Sequence, residues 1–301
     1  MLGLGLCMSV HAAPPGSQSA IMDDMTACSL GNAESCNRAG IMLTSLGRYR
    51  EALSCYEHSC NFNNGAGCSW LAYMYANGNG GADKDLEKAK KLYKKACTLQ
   101  YGQACYSLGE LYENDEKVEY KLSEILELYE KSCTLGYSFG CSSLGYMYAH
   151  GTEKSPPEPR TAAFFYAKAC DLLDGLGCVN AGLIYADKDE KKKADYEKSA
   201  EYYRKACNLF VGTGCSNLGY YYEVGLGVAQ DGNMAVFNYE RGCELDEILG
   251  CYNAALLYEK GEIVQQDVKK ARELYNLGCI LGDEESCLSH DKLKIVHLHK
   301  K

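Results

Sequence analysis

Eight times along this chain two cysteines stand eight residues apart, and no other feature restricts its fold as tightly. The pairs are Cys28/Cys36, Cys60/Cys68, Cys97/Cys105, Cys133/Cys141, Cys170/Cys178, Cys207/Cys215, Cys243/Cys251 and Cys279/Cys287. Their first members follow one another at intervals of 32, 37, 36, 37, 37, 36 and 36 residues. A chain of 301 residues with that period is a tandem array rather than two unrelated domains. Only Cys7 and Cys55 fall outside the pattern.

Around each pair the apolar residues recur with helical spacing. After the second cysteine, small or apolar residues occupy offsets +3, +4 and +7, as in Leu108, Gly109, Tyr112 and Leu218, Gly219, Tyr222. These offsets form one face of a helix, here called helix A. Glycine or alanine at +4 implies that another helix crosses closely there. The run before the first cysteine predicts a second helix, B. It carries a tyrosine four residues before that cysteine (Tyr56, Tyr93, Tyr129, Tyr166, Tyr203, Tyr239, Tyr275). Eight before the cysteine stands a small residue (Ala52, Ala89, Ala162, Ser199, Ala235, Ala271), with Ile125 as the exception. Turn-rich segments such as NGNGGADKD separate A from B. The unit is therefore helix A, loop, helix B, tight turn.

This arrangement puts the cysteine ending one helix B beside the cysteine opening the next helix A. A disulfide there staples neighbouring repeats, and the chain-entropy relation gives about 2.5 kcal/mol for so short a ring. Structural zinc requires ligands two to four residues apart in C-x-x-C knuckles, and the sequence holds no such knuckle. Cys55 sits where other repeats carry Leu92, Leu128, Phe165, Tyr202 and Leu274, with polar Asn238 the one exception, so it reads as a buried free thiol acting as a small hydrophobe.

The net charge of −9 argues against nucleic acid as a partner, because no basic surface is available to release phosphate counterions. No apolar run reaches the ~18 residues that span a bilayer. The first residues, MLGLGLCMSVHAA, resemble the end of a secretory signal, with cleavage expected after Ala12 and a start that lies inside a longer signal. Cys7 then falls in the discarded apolar stretch. Export to the periplasm or the medium also accounts for the cysteine count, since disulfides persist in oxidising compartments.

The phrase A-x-x-L-G-x-x-Y, a glycine-rich loop, an acidic residue, then K-A-x-x-[LF]-Y-x-K-A-C resembles the Sel1-like repeat. With Cys-x7-Cys in each unit it is similar to the Helicobacter cysteine-rich proteins. The resemblance covers residues 23 to about 290. It implies an all-α fold, a right-handed α/α superhelix (solenoid) of about seven TPR-like helix pairs plus caps, stapled by disulfides. After a 1–12 signal remnant, one solenoid is expected over 13–301. Its repeats lie near 31–63, 64–100, 101–136, 137–173, 174–210, 211–246 and 247–282, with a C-terminal cap at 283–301. In the cap the core offsets become His290, Asp291 and Lys294, as a solvated end requires.

In such solenoids helix A lines the concave surface, which makes its polar offsets the candidate binding groove. Offset +2, roughly opposite the core stripe at 100° per residue, reads Asn37, Trp70, Ser107, Ser143, Asn180, Asn217 and Asn253. Offset +9 includes Asn77, Asn114, His150 and Asp187. Asparagine amides can pair with a peptide backbone without reading its side chains. Tyrosines at +5 (Tyr73, Tyr146, Tyr220) would add flat apolar contact. The expected partner is a peptide, a cell-wall fragment or a host or bacterial protein, held by a monomeric scaffold without cofactor or metal. The resemblance also implies an alternative, weak β-lactamase or penicillin-binding activity on β-lactams. The residues give that alternative no catalytic motif. Ser289-His-Asp-Lys292 matches S-x-x-K, a match expected about once by chance in such a chain, and neither S-D-N nor K-T-G occurs. His297 and His299 in the tail read as solvated residues.

Overall fold

Four of the B helices begin where the sequence sets an aspartate cap before the apolar stripe. The side chains of Asp85, Asp195, Asp231 and Asp267 accept hydrogen bonds from backbone N–H groups of the first turn that follows. A computed structural model describes residues 17–114, 122–151, 155–187 and 195–298, and these contain sixteen helices and no strand. The leader-like residues 1–12, Cys7 and His299 lie outside the described residues.

The chain divides into two compact units, Met1–Gly140 and Cys141–Lys301. The first holds α1 (Ser17–Ser29), α2 (Ala33–Ser45), α3 (Tyr49–Asn61), α4 (Gly65–Asn77), α5 (Leu86–Thr98), α6 (Gly102–Glu113) and α7 (Leu122–Thr134). At its end begins α8 (Ser138–His150), most of which belongs to the second unit. The second continues with α9 (Pro159–Asp171), α10 (Gly175–Ala186), α11 (Tyr196–Asn208), α12 (Gly212–Val224), α13 (Gly232–Glu244), α14 (Ile248–Lys260), α15 (Val268–Ile280) and α16 (Glu284–Leu298). Even-numbered helices are the A helices and odd-numbered ones the B helices. Within each unit a helix packs on its neighbours along the chain and touches the helix two further on, as α2 does α4 and α12 does α14. The all-α, helix-pair fold expected from the spacing is the observed one.

The core of each repeat is the place where the A helix offset +4 meets the B helix tyrosine. A Cβ built on Gly109 would lie 2.6 Å from the Tyr129 ring, on Gly182 2.7 Å from Tyr203, and on Gly219 2.7 Å from Tyr239. The glycine is thus a requirement of close approach. The small residues eight before the cysteine, from Ala52 to Ala271, are wholly buried.

A buried tyrosine brings a hydroxyl that needs a partner. In several repeats the residue eight after the second cysteine supplies it. Tyr129 donates to Glu113 (2.7 Å), Tyr239 to Glu223 (2.6 Å) and Tyr275 to Glu259 (2.8 Å), while Tyr56 pairs with Thr44 (3.0 Å). Burial first, and the bonded carboxylate second, push the phenols of Tyr129, Tyr239 and Tyr275 well above their ordinary range.

The turn from B to A is built alike throughout. The third residue after the first cysteine has positive φ in every case: Gly31, Asn63, Gln100 and Gly136 in the first unit, Leu173, Phe210, Asp246 and Gly282 in the second. The following N–H reaches back to the helix, as Asn64 does to the Ser59 carbonyl at 3.0 Å, and so satisfies an orphan acceptor. The chain reverses within three residues, and Asn64 then caps the next helix through its own side chain. Bridges Cys28–Cys36, Cys60–Cys68, Cys97–Cys105, Cys170–Cys178, Cys207–Cys215, Cys243–Cys251 and Cys279–Cys287 cross these turns with Cα–Cα distances of 4.4–4.7 Å. Cys133 and Cys141 are disulfide-bonded as well. Cys55 is free and buried, and burial raises its thiol above the ordinary range.

In α16 the side chain of Leu293 is buried, so the last A helix keeps an apolar anchor, while Asp291 is exposed.

Candidate functional site

In the first unit, α4, α5, α6 and the loop between α4 and α5 enclose a groove of about 1270 Å³. Four residues expected from the sequence meet there, Tyr73 and Asn77 from α4, Ser107 from α6 and Asn114 at the end of α6. Tyr73 is exposed and takes the edge of Trp70 at 5.9 Å. Trp70 itself stacks on Tyr56, 5.9 Å between centroids and 12° between planes, which ties it to the core of the preceding repeat.

That contact corrects the wheel. Offset +2 does not point away from the core but borders it, next to the tyrosine of the preceding B helix. Ser107 lies beside the Tyr93 hydroxyl and Ser289 beside that of Tyr275. Tyr93 is pushed up to about 12, chiefly by burial. Asn37 at the same offset keeps its Oδ1 buried without a partner. The S-x-x-K serine therefore holds a recurring place beside a core phenol.

Offset +9 serves its own helix. Asn77 and Asn114 donate their amides to the carbonyls of Tyr73 and Glu110, at 2.9 and 2.8 Å, and His150 Nδ1 lies 2.9 Å from the Tyr146 carbonyl. The Glu110 carbonyl also accepts the Asn114 backbone N–H at 3.0 Å, so the side chain adds a second donor to a carbonyl of its own helix.

In the second unit Asn180, Asn217 and Asn253 stand on α10, α12 and α14, consecutive stacked A helices. All three are half-buried, and their amides make no hydrogen bond with a described residue. Ser143 on α8 is half-buried too. Tyr146 and Tyr220 are exposed, Tyr146 with its ring 4.1 Å from that of His150.

The groove of the first unit also contains residues that the sequence reading passed over. Tyr106 donates to Glu110 Oε1 at 2.9 Å, and its ring lies 5.5 Å from that of Tyr137 and 6.0 Å from that of Phe139. Burial raises the Glu110 carboxyl above its ordinary range, and Glu113 adds a like charge. Lys90 is buried at the groove wall and pairs with Glu87 at 2.9 Å. A signal for Glu110 was present in the sequence. Before the C-terminal cap, where it is Lys292, offset +5 reads Ile41, Tyr73, Glu110, Tyr146, Leu183, Tyr220 and Leu256, so Glu110 is the one charge among those seven. Among the described residues no group of three or more His, Cys, Asp or Glu side chains is arranged to hold a metal.

Helix pairs that pack on their neighbours along the chain, repeated at a fixed period, define an α-helical repeat protein. Within that class the chain belongs to the Sel1 repeat family, whose pattern matches residues 65–101, 102–137, 138–172, 177–209, 213–247 and 248–283. A tetratricopeptide repeat is matched at 33–64. No match was found among curated proteins. Of solved structures, the chain is similar to c5321, a protective antigen of uropathogenic Escherichia coli displaying an SLR fold, at 23% identity and a TM-score of 0.67. That match covers 91% of this chain and 62% of the antigen, so the chain spans less than two thirds of that protein's length. It is also similar to a Sel1 repeat protein from Oxalobacter formigenes (21% identity, TM-score 0.61, covering 81% of this chain and 96% of that one). Helicobacter pylori cysteine rich protein B shares 31% identity over 46% of this chain and 97% of its own, with a TM-score of 0.36. Sel1 repeat proteins are typically scaffolds for protein–protein interaction. The density of disulfides suits an oxidising, extracytoplasmic setting, and no helix among the described residues is long and apolar enough to cross a membrane.

Proposed function

We propose that this protein is an exported scaffold that holds an extended peptide segment of a partner protein along its A helices. The observation that carries the reading is the asparagine row of the second unit: three half-buried amides, at one register of α10, α12 and α14, with no hydrogen-bond partner among the described residues. Polar groups so placed are complementary to a backbone that presents N–H and C=O groups at intervals. Exposed tyrosines at offset +5, Tyr146 and Tyr220 in this unit, offer flat contact area at low entropic cost.

The test is the triple substitution Asn180→Ala, Asn217→Ala, Asn253→Ala, with binding read on an array of extended peptides. Each amide pairing contributes about 0.5–1.5 kcal/mol net, so the three together are worth at least tenfold in affinity. Thermal stability is expected to stay within about 0.5 kcal/mol of the parent, because no intramolecular bond is lost. Unchanged binding, or a loss of stability equal to that of a core Tyr→Ala change, refutes the row as a binding surface.

A further inference from the structure

The groove of the first unit has a charge pattern that peptide binding in general does not need. Among the described residues its lining holds four carboxylates, Asp83, Asp85, Glu87 and Glu110, against two lysines, Lys84 and Lys90. Two of the four are already engaged: Asp85 caps α5 and Glu87 pairs with Lys90. Glu110 differs from both. It is half-buried, accepts the Tyr106 hydroxyl, and forms no ion pair with any described residue. Glu113, one turn on, is occupied by the Tyr129 hydroxyl and likewise has no described ion pair. A carboxylate that is partly withdrawn from water without a cation is costly unless something pairs with it.

What surrounds Glu110 is aromatic. Tyr73, Tyr93, Tyr106 and Tyr137 all line the same groove. The Tyr106 and Tyr137 rings lie 5.5 Å apart, inclined at 51°, and Tyr106 is joined to the carboxylate through its hydroxyl. A carboxylate set among tyrosine rings is complementary to an organic cation on an aliphatic stem, which gains from the charge and from the rings together. A bare metal ion suits it poorly, since no set of three or more ligating side chains is gathered among the described residues. The net charge of −9 also draws cationic partners from a distance.

We propose that this groove selects a lysine or arginine side chain of the bound segment, with the cation on Glu110 against Tyr106 and Tyr137 and the neighbouring apolar residue against Tyr73. This rests on the peptide-scaffold reading above and adds to it the chemistry of one subsite.

Fluorescence anisotropy on the whole, oxidised protein tests it with one labelled, extended apolar host peptide. A single central position carries lysine, arginine, norleucine or glutamate. The lysine and arginine peptides are expected to bind about tenfold tighter than the norleucine peptide, and the glutamate peptide weaker than all three. Glu110→Gln keeps an acceptor for the Tyr106 hydroxyl, so the fold is retained. It is expected to bring the lysine peptide to the level of the norleucine peptide and leave the latter unchanged. Tyr106→Leu is expected to weaken the cationic peptides several-fold more than the norleucine one. Glu244→Gln, an exposed acid on α13 outside the groove, is expected to change nothing. Equal binding of lysine and norleucine peptides by the parent protein, or a Glu110→Gln variant that still prefers lysine, overturns the subsite while leaving the scaffold reading standing. If none of the four peptides binds, both fall.

Discussion

Replacing Gly219 by alanine sets two physical effects of opposite sign against each other. Alanine is the better helix former, by about 1 kcal/mol in a helix interior. Its methyl, however, would lie 2.7 Å from Cδ1, 2.9 Å from Cγ and 3.0 Å from Cε1 of Tyr239. Comfortable carbon–carbon contact is about 3.5–4.0 Å, so the ring or the helix must retreat by the better part of an ångström. The ring has little room, being 1% exposed, and its hydroxyl is tied to Glu223 at 2.6 Å. Overpacking of this kind costs about 1–3 kcal/mol, and a ring that swings clear also gives up a hydrogen bond to a charged acceptor, about 1.5–3 kcal/mol. The steric effect therefore wins, and Gly219→Ala is expected to destabilise by about 1–3 kcal/mol net. The sign reverses where alanine is native: Ala255, at the same offset in α14, is fully buried, and Ala255→Gly should itself cost about 1 kcal/mol. Urea unfolding of the oxidised protein gives the size of the loss. Native-state hydrogen exchange locates it, since in an array it belongs to α12 and α13. A Gly219→Ala variant as stable as its parent, or more so, would show that the close approach imposes no restraint.

One substitution in a turn and one labelling measurement on the odd thiol extend these tests. Leu173 has a φ of 66° and a side chain 74% exposed, so Leu173→Asn removes a left-handed penalty of about 1 kcal/mol while losing little burial. A rise in stability of about 0.5–1 kcal/mol is expected on chemical denaturation, and a fall would mean that the leucine makes an anchoring contact. Cys55, whose thiol burial holds above its ordinary range, carries less thiolate at pH 8 than an exposed cysteine. Iodoacetamide should therefore modify it slowly in the folded protein and quickly in guanidinium without reductant. Labelling of the native protein at the rate of a small free thiol would contradict its burial.

The repeat was legible because three constraints share one period. Cysteines at a separation of eight, glycine or alanine at +4 and tyrosine four before the next cysteine all mark one crossing of helices, and each restricts the others. The partners of the buried phenols were less evident. Glu113, Glu223 and Glu259 lie eight residues after a cysteine and sixteen before their tyrosine, but they read as ordinary solvated helix ends. Around the candidate site the helical wheel misplaces one row. A wheel at 100° per residue puts offset +2 opposite the core, whereas a neighbouring repeat adds a second buried side, and Trp70 and Ser107 lie against it. The wheel treats a helix as having one partner, and here it has two. Glu110 is harder to single out, because recurrence marks the residues that build the repeat and Glu110 departs from it.

Each described bridge closes a ring across the turn between repeats and leaves the loop within a repeat outside it. In topological terms the molecule is a string of small covalent rings joined by open tethers. A cut inside a ring, next to Phe210 for instance, leaves both ends attached through Cys207 and Cys215. A cut in a tether, as between Asn77 and Asp85, divides the covalent chain at once, and only the packing of Tyr93 and its neighbours then holds the pieces together. The disulfides thus secure the joints between repeats against scission, while the integrity of each repeat rests on its core.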